Sequence, residues 1–335
     1  MLVEDKAAKR AYQRKLEVSV RARLKPRGVR NIGFPSGNRD EIVHAAGEGG
    51  LWSAFGDAED AKIPRWWNAF GVFAGGRSAQ SITVEINIPT NSNSAAVAGF
   101  FAQDPSSEAV YLMHDGGVGG GKSGVGRTAF LAWSGRRLTP VSRSGSDERE
   151  GIVVGRVGSP DLADRIWKYV LEVRAFKDAV AAGALETPAM KRRLAEWDQY
   201  RHEGSGRRHG VRTSQIDYFS YHGDVVHAVW MERSARKIRH EIVTRSPLVD
   251  LLVRKRDTVT EVYEFKTALD RQSLYTAIGQ VLTHFAASDG ALRTLVLPEG
   301  DLPADVRQCL DHHGIAVRRF RLEGRPEKRT VVLIT

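Results

Sequence analysis

The segment from Ser246 to Phe285 constrains the fold of this chain most strongly, because it predicts a strand, a turn, a second strand and a helix in direct succession. The first strand is a short apolar run over Leu248 to Val253, and it contains a single carboxylate, Asp250. The second strand covers Val259 to Thr267 and is rich in β-branched and aromatic residues. The charged turn between them predicts that the two strands pair as a hairpin.

The hairpin is expected to bring three charged side chains together at one end of a sheet. Because side chains alternate along a strand, Glu264 and Lys266 project from the same face, and strand pairing can place Asp250 beside Glu264. Two adjacent carboxylates repel each other unless a cation lies between them. Oxygen ligands with room for water and phosphate suit Mg²⁺, and a neighbouring lysine can orient a water or stabilise charge on a phosphate. The pattern indicates metal-assisted phosphodiester hydrolysis.

This order of residues resembles the PD-(D/E)XK nuclease superfamily, which has the restriction-endonuclease-like fold. The resemblance covers residues 215 to 320 and includes the helix with Gln280, a residue type that many members place near the site. It implies that Asp250, Glu264 and the main-chain carbonyl of Phe265 bind Mg²⁺, for which Mn²⁺ can substitute. It also implies that Lys266 is the catalytic lysine, with Gln280 positioning the lysine or the substrate.

Other residues of the C-terminal part are candidates on weaker grounds. The family sometimes contributes a further metal-site glutamate from its first helix, and Glu232 lies in a helix predicted over Val225 to Ile238. Tyr275 is expected to contact nucleic acid. Members of the exonuclease-like branch carry a Gln-x-x-x-Tyr motif where this chain has Gln280 and His284, so an exonuclease acting on ends stays open, as does an RNA substrate.

The histidines near this segment have a simpler interpretation. His222, His227 and His240 lack the spacing of a zinc site, and we interpret them as structural or surface residues.

The composition is compatible with a nucleic-acid partner. The 335 residues include 50 Lys and Arg against 40 Asp and Glu, giving a formal net charge of +10, which suits a polyanion but also serves solubility alone. A single cysteine, Cys309, excludes an internal disulfide framework and fits a reducing cytoplasm. No signal peptide and no apolar run of about 20 residues is visible, so we expect a cytoplasmic protein without a membrane partner.

The first 30 residues form a basic segment with ten Lys or Arg. Its first half predicts a helix, and the alternation over Glu17 to Leu24 predicts a half-buried strand. Arg21 and Arg23 on that strand would either face a phosphate backbone or guard a solvated sheet edge. The sequence leaves these two interpretations equally open.

Five aromatic residues cluster in the next segment. They could stack on a base or enclose a modified one, but the core of a domain is the preferred interpretation. The five residues are Trp52, Phe55, Trp66, Trp67 and Phe70.

The glycine-rich segment Gly116 to Ser123 matches the P-loop pattern G-x-x-x-x-G-K-S. A P-loop needs a helix directly after Lys-Ser, whereas Gly-Val-Gly-Arg-Thr follows here and Thr128 to Trp133 predicts a strand. An NTPase is therefore the lesser alternative. A flexible loop that brings Lys122 and Arg127 close to a phosphate backbone is favoured.

The chain as a whole predicts an α/β protein with three regions. Residues 1–158 form a β-rich α+β domain for DNA recognition, 159–210 a helical linker, and 211–335 the nuclease-like mixed sheet flanked by helices. The expected function is a Mg²⁺-dependent DNA endonuclease of restriction or anti-phage type, in which the N-terminal domain reads DNA, including modified bases. Double-strand cutting with one site per chain favours a homodimer. The alternatives are a nucleic-acid-binding module with a degenerate site, or the NTPase.

Overall fold

The computed structural model describes residues 1–34, 37–120, 124–136, 138–144, 148–188, 190–195, 197, 216–245, 249–256, 258–284, 290–324 and 330–334. The chain divides into two compact units. The N-terminal unit contains Met1–Trp133 and Arg137–Met190. The C-terminal unit contains Asp217–Thr335, with Ser134–Arg136 and residues 191–197. This division differs from the three predicted regions because the long helix after residue 160 packs within the N-terminal unit.

Helix α1 (Lys6–Arg21) opens the N-terminal unit. The side chain of Asp5 caps it by accepting a hydrogen bond from the Ala8 N–H at 2.6 Å. Its buried face consists of Lys9, Gln13, Leu16 and Val20, which recur at helical spacing. The strand predicted over Glu17 to Leu24 is therefore wrong. Burial follows the 3.6-residue period of a helix and not the two-residue period of a strand, because Leu16 and Val20 are fully buried while Val18 is 68% exposed.

A curled sheet follows α1, and in the described residues it has seven strands in the order β5-β1-β2-β3-β4-β6, with β7 also pairing β4. All pairs are antiparallel except β1 with β5. The strands are β1 (Lys25–Phe34), β2 (Gly37–Ala45), β3 (Leu51–Ala58), β4 (Arg65–Val72), β5 (Ala79–Ser81), β6 (Val84–Glu85) and β7 (Ile88–Pro89).

The aromatic cluster belongs to this sheet. Trp52 and Trp67 pack in its core with Ile32 and Val43, and Phe70 is fully buried. The core interpretation is confirmed for these residues, but Trp66 is only half-buried.

A second, antiparallel sheet of the N-terminal unit has the order β10-β11-β9-β8 among the described strands. Helix α2 (Arg127–Ser134) replaces the strand predicted over Thr128 to Trp133. The periodicity of a short apolar run is compatible with a helix or a strand. Here the run forms a helix whose Phe130 and Leu131 side chains are fully buried. Helix α3 (Leu162–Ala181) confirms a helix near the start of the region predicted as a helical linker. The strands are β8 (Gly99–Gln103), β9 (Val110–His114), β10 (Thr139–Ser142) and β11 (Glu148–Arg156).

The C-terminal unit is a mixed sheet whose described strands run in the order β12-β13-β14-β15-β16-β17. Strands β12 to β14 pair antiparallel, β14 to β16 parallel, and β17 antiparallel to β16. The strands are β12 (Glu241–Thr244), β13 (Leu251–Lys255), β14 (Thr258–Phe265), β15 (Leu292–Pro298), β16 (Ile315–Glu323) and β17 (Thr330–Ile334). The helices are α4 (Ile216–Ala235), α5 (Arg271–Thr283) and α6 (Ala304–His312).

The helices cover both faces of this mixed sheet. Val225, Val226 and Val229 of α4 pack on one face, against a core that includes Phe265. Residues of α5 and α6 pack on the other face, against a core that includes Val262. The α/β class of this unit is confirmed, as are the helix predicted from Val225 and the two strands and helix predicted between Ser246 and Phe285. Within the described ranges, no helix combines the length and apolar character that crossing a bilayer requires.

Candidate functional site

Asp250 and the end of β14 meet at one end of the hairpin. The hairpin register pairs Leu251 with Tyr263, one residue before Glu264. Asp250 lies just before β13, and its Oδ2 accepts a hydrogen bond from the Phe265 main-chain N–H at 2.9 Å. Asp250 therefore contacts the main chain directly after Glu264.

Lys266 links the hairpin to α5. Its Nζ donates to Glu264 Oε1 at 2.6 Å and to Gln280 Oε1 at 3.0 Å. Glu264 is completely buried and Lys266 is 7% exposed. Buried charges of this kind persist only when they are paired and hydrogen-bonded, so the ammonium group and the carboxylate depend on each other.

The alternation of β14 explains this arrangement. Val262 packs in the core on the α5 side of the sheet, while Phe265 packs in the core on the α4 side. Glu264 and Lys266 are two and four residues after Val262, so their side chains lie on the same face of the sheet as Val262. They therefore project toward α5, where Gln280 lies. The Phe265 side chain fills the opposite core and leaves only its main chain at the site.

His222 is a site residue that the sequence interpretation missed. Its Nε2 lies 3.1 Å from Asp250 Oδ2, and its ring centroid lies 6.2 Å from that of Phe265 at an interplanar angle of 75°. The histidine comes from α4, 28 residues before its partner, and no spacing motif links the two. Only its place on the helix that precedes the hairpin could have suggested it.

Glu232 lies outside this cluster. It is ten residues beyond His222 on α4, which is about 15 Å along a helix. Its carboxylate instead pairs with Arg318 and Arg236. Glu241, on β12, pairs with Arg233 at 2.9 Å.

Tyr275 is 51% exposed on α5, where its hydroxyl accepts a hydrogen bond from Arg271 at 2.7 Å. Arg271 also pairs with Asp305 at 2.6 Å. Tyr275 is therefore accessible to a ligand, and its predicted contact with nucleic acid stays a prediction.

The basic candidates of the N-terminal unit lie on its surface. Arg21 Nη1 is 3.3 Å from Glu17, and Arg23 is 3.6 Å from Asp164. Arg127 donates to the main-chain oxygen of Asp115 at 2.9 Å. Lys122 lies outside the described residues. Exposed ion pairs are weak, so these arginines can exchange their partners for a phosphate.

The glycine-rich segment does not have the surroundings of a P-loop. It follows β9, whose neighbours in the sheet are antiparallel, and α2 begins only at Arg127, after Gly124 and Gly126. Residues 121–123, which include the P-loop lysine and serine positions, lie outside the described residues.

The donor set of the site fits a hard divalent cation. Two carboxylates, Asp250 and Glu264, and the Phe265 carbonyl are oxygen ligands of the kind that Mg²⁺ accepts together with water. Among the residues that the structure describes, no group of three or more His, Cys, Asp or Glu side chains is arranged to hold a metal. Any metal here would therefore depend on main-chain and water oxygens as well as on the two carboxylates.

Comparisons of the chain with protein-family models, with curated proteins and with solved structures gave no match. The geometry of the site is therefore the basis for the function proposed below.

Proposed function

We propose that the C-terminal unit is a metal-dependent nuclease that hydrolyses phosphodiester bonds in DNA. The observation that carries this proposal is the linked set formed by Asp250, Glu264, Lys266 and Gln280 at the end of the β13–β14 hairpin. A lysine held between a buried glutamate and a helix glutamine has little structural purpose at the end of a strand. It suits a site that handles a phosphate.

The order of elements supports the same proposal. A helix, three antiparallel strands, a second helix and a strand parallel to the third follow one another from α4 to β15. This order is the one that the resemblance to the PD-(D/E)XK nucleases implies, and the restriction-endonuclease-like fold is therefore part of the proposal.

Each residue has a defined part in the proposed reaction. Asp250, Glu264 and the Phe265 carbonyl would hold Mg²⁺ or Mn²⁺, which supplies charge neutralisation at the phosphate and a more acidic water. The Lys266 ammonium group would hold the attacking water or stabilise negative charge on the phosphate. Gln280 would fix the direction of the ammonium group, because it accepts one of its three N–H donors.

The N-terminal unit would bind the DNA, and the basic side chains exposed on its surface support this DNA-binding role. A separate DNA-binding unit joined to a nuclease suits a restriction or anti-phage enzyme in the cytoplasm, and double-strand cutting with one site per chain would favour a homodimer. A degenerate site that only holds nucleic acid is the competing proposal. A site that only binds nucleic acid would not require the buried Glu264–Lys266 pair.

Plasmid cleavage in Mg²⁺ or Mn²⁺ tests the proposal. The wild type is compared with Asp250→Asn, which keeps an acceptor for the Phe265 N–H but removes the charge, and with Asp311→Ala as a control on the exposed surface of α6. Substrates with unmodified, cytosine-modified and adenine-modified bases are used. Cutting that requires metal and disappears only in Asp250→Asn supports the nuclease. Cutting that survives this substitution, or no cutting of any substrate, overturns it.

A further inference from the structure

A groove of about 420 Å³ lies in the N-terminal unit between α1 and the β3–β4 hairpin. Lys6, Arg10 and Arg14 line one wall, and they share a face because they recur every four residues along α1. Phe55 and Trp66 line the other wall. The volume falls in the range of about 300–1,000 Å³ that is typical of small-ligand sites.

The three cations of the groove are exposed and available. Among the described residues, Lys6, Arg10 and Arg14 make no ion pair and no side-chain hydrogen bond. Arg21, about two turns beyond Arg14 on the same helix, is in contrast paired with Glu17. Unpaired cations in a row on one helix face form a site for successive phosphates rather than a structural network.

The aromatic wall contains a ring surface that the core does not use. Trp66 faces the groove and stands opposite Asp57 in the β3–β4 register. It is half-buried, whereas Trp52 and Trp67 on the other face of the sheet are buried in the core. Phe55 packs edge-on against Phe70 with centroids 5.8 Å apart. Trp66 is therefore the side chain best placed to stack on a planar ligand.

The groove is held in shape by buried polar contacts. Gln13 and Asn68 exchange two side-chain hydrogen bonds, of 2.7 and 3.1 Å, which fix α1 to β4. Lys9 donates to the Ser92 carbonyl at 2.9 Å and to Asn93 Oδ1 at 2.7 Å, next to the lining residue Asn91. A preformed groove loses less conformational entropy when a ligand binds.

Acidic side chains narrow the choice of ligand. Asp57 and Glu59 also line the groove, so it is not a uniformly positive channel for phosphate. A carboxylate beside a stacking ring can accept a hydrogen bond from an exocyclic amino group, such as N4 of cytosine. The combination fits a nucleotide whose base carries an amino group.

We propose that this groove binds one nucleotide of a single-stranded DNA segment. The base stacks on Trp66, its amino group donates to Asp57, and the neighbouring phosphates lie along Lys6, Arg10 and Arg14. This inference relies on the proposed function for the choice of DNA as the polymer. Base stacking on an aromatic side chain together with cations along the backbone is the general mode of single-strand binding.

The test measures binding without cleavage. Fluorescence anisotropy of a labelled oligo(dC) is recorded with the full chain carrying Asp250→Asn, in the presence of EDTA. Trp66→Ala should weaken binding about fivefold or more, and Trp66→Phe less, because a smaller ring still stacks. Unchanged affinity in Trp66→Ala would overturn the proposal.

A matched pair of triple variants separates the groove from net charge. Replacing Lys6, Arg10 and Arg14 by Gln should reduce the slope of log affinity against log salt by about 2. The control replaces three exposed cations outside the groove, Lys15, Lys25 and Lys168, by Gln, and should leave most of the slope intact. Equal losses in both variants would mean that only net charge matters.

Base preference tests the role of Asp57. Oligo(dT) offers no exocyclic amino group, so it should bind more weakly than oligo(dC), and Asp57→Asn should reduce the difference. Tighter binding of oligo(rC) would contradict the assignment to DNA. Because these measurements need no cleavage, binding without plasmid cutting would reject the nuclease alone, and cutting without groove-dependent binding would reject the groove alone.

Discussion

His222 Nε2 lies 3.1 Å from Oδ2 of Asp250, the same oxygen atom that accepts the Phe265 main-chain N–H at 2.9 Å. A helix side chain and a strand amide thus fix one carboxylate oxygen from two directions. The orientation of Asp250 therefore depends on the packing of α4 against the sheet.

We expect His222→Ala to lower the rate of DNA cleavage about 10- to 100-fold, the usual effect of losing a group that orients a metal ligand. His222→Gln should restore part of the rate, since its side-chain amide can donate to Asp250. His227→Ala, an exposed histidine on the same helix, is the control. Cleavage kinetics at several Mg²⁺ concentrations check this, and a His222→Ala enzyme with wild-type kinetics would contradict the positioning role.

The Glu264–Lys266 pair predicts a non-additive effect on stability. Lys266→Met leaves a fully buried carboxylate without its cation, which should lower the free energy of unfolding by about 3 kcal/mol. The double variant Glu264→Leu with Lys266→Met should be more stable than that single variant. Denaturant unfolding in EDTA compares the wild type, both single variants and the double variant, and additive losses would contradict the coupling.

Substitution of Gln280 is expected to lower the cleavage rate without unfolding the protein. Gln280→Ala removes one acceptor of the Lys266 ammonium group, so we expect about a tenfold lower cleavage rate, the effect of losing one hydrogen bond to a charged group. Gln272→Ala, on the exposed face of the same helix, should cut as the wild type does. If both variants cut equally well, Gln280 does not position the lysine.

The buried imidazole of His114 should make the stability of the N-terminal unit depend on pH. Its Nε2 contacts the Glu85 carbonyl, and its Nδ1 accepts from the Gly116 N–H and the Tyr169 hydroxyl. Burial lowers the pKa of His114 from 6.5 to about 4. The unfolded chain therefore takes up this proton as pH falls below about 6.5, while the folded chain stays neutral until about pH 4. Stability is lost across that window, by up to about 3 kcal/mol.

Urea unfolding between pH 4 and 7, followed by the tryptophan fluorescence of wild type and His114→Asn, isolates this contribution. Carboxylates titrate in the same range in both proteins, so only the difference between the two curves reports on His114. The variant should lose less stability on acidification. Parallel curves would contradict the assignment.

The sequence predicted the C-terminal unit well because its signals are local. The alternation of β14 and the helix with Gln280 are readable from adjacent residues, and Glu264, Lys266 and Gln280 are in contact in the structure. His222 could not be predicted, since its contact with Asp250 depends on how a helix packs across a sheet. In the N-terminal unit, the runs around Val18 and Phe130 fit both helix and strand, and only burial against the rest of the fold decides between them.

The position of β14 has a consequence for how this protein would acquire activity. The strand is antiparallel to β13 and parallel to β15, and it presents Glu264 to one face and Phe265 to the other. A slip of one residue during folding would move Phe265 toward α5 and would turn Glu264 into the core beneath α4. The strand register that packs Phe265 correctly in the core is therefore the same register that places Glu264 at the site. After refolding from denaturant, DNA cutting should return no earlier than the packing of the sheet.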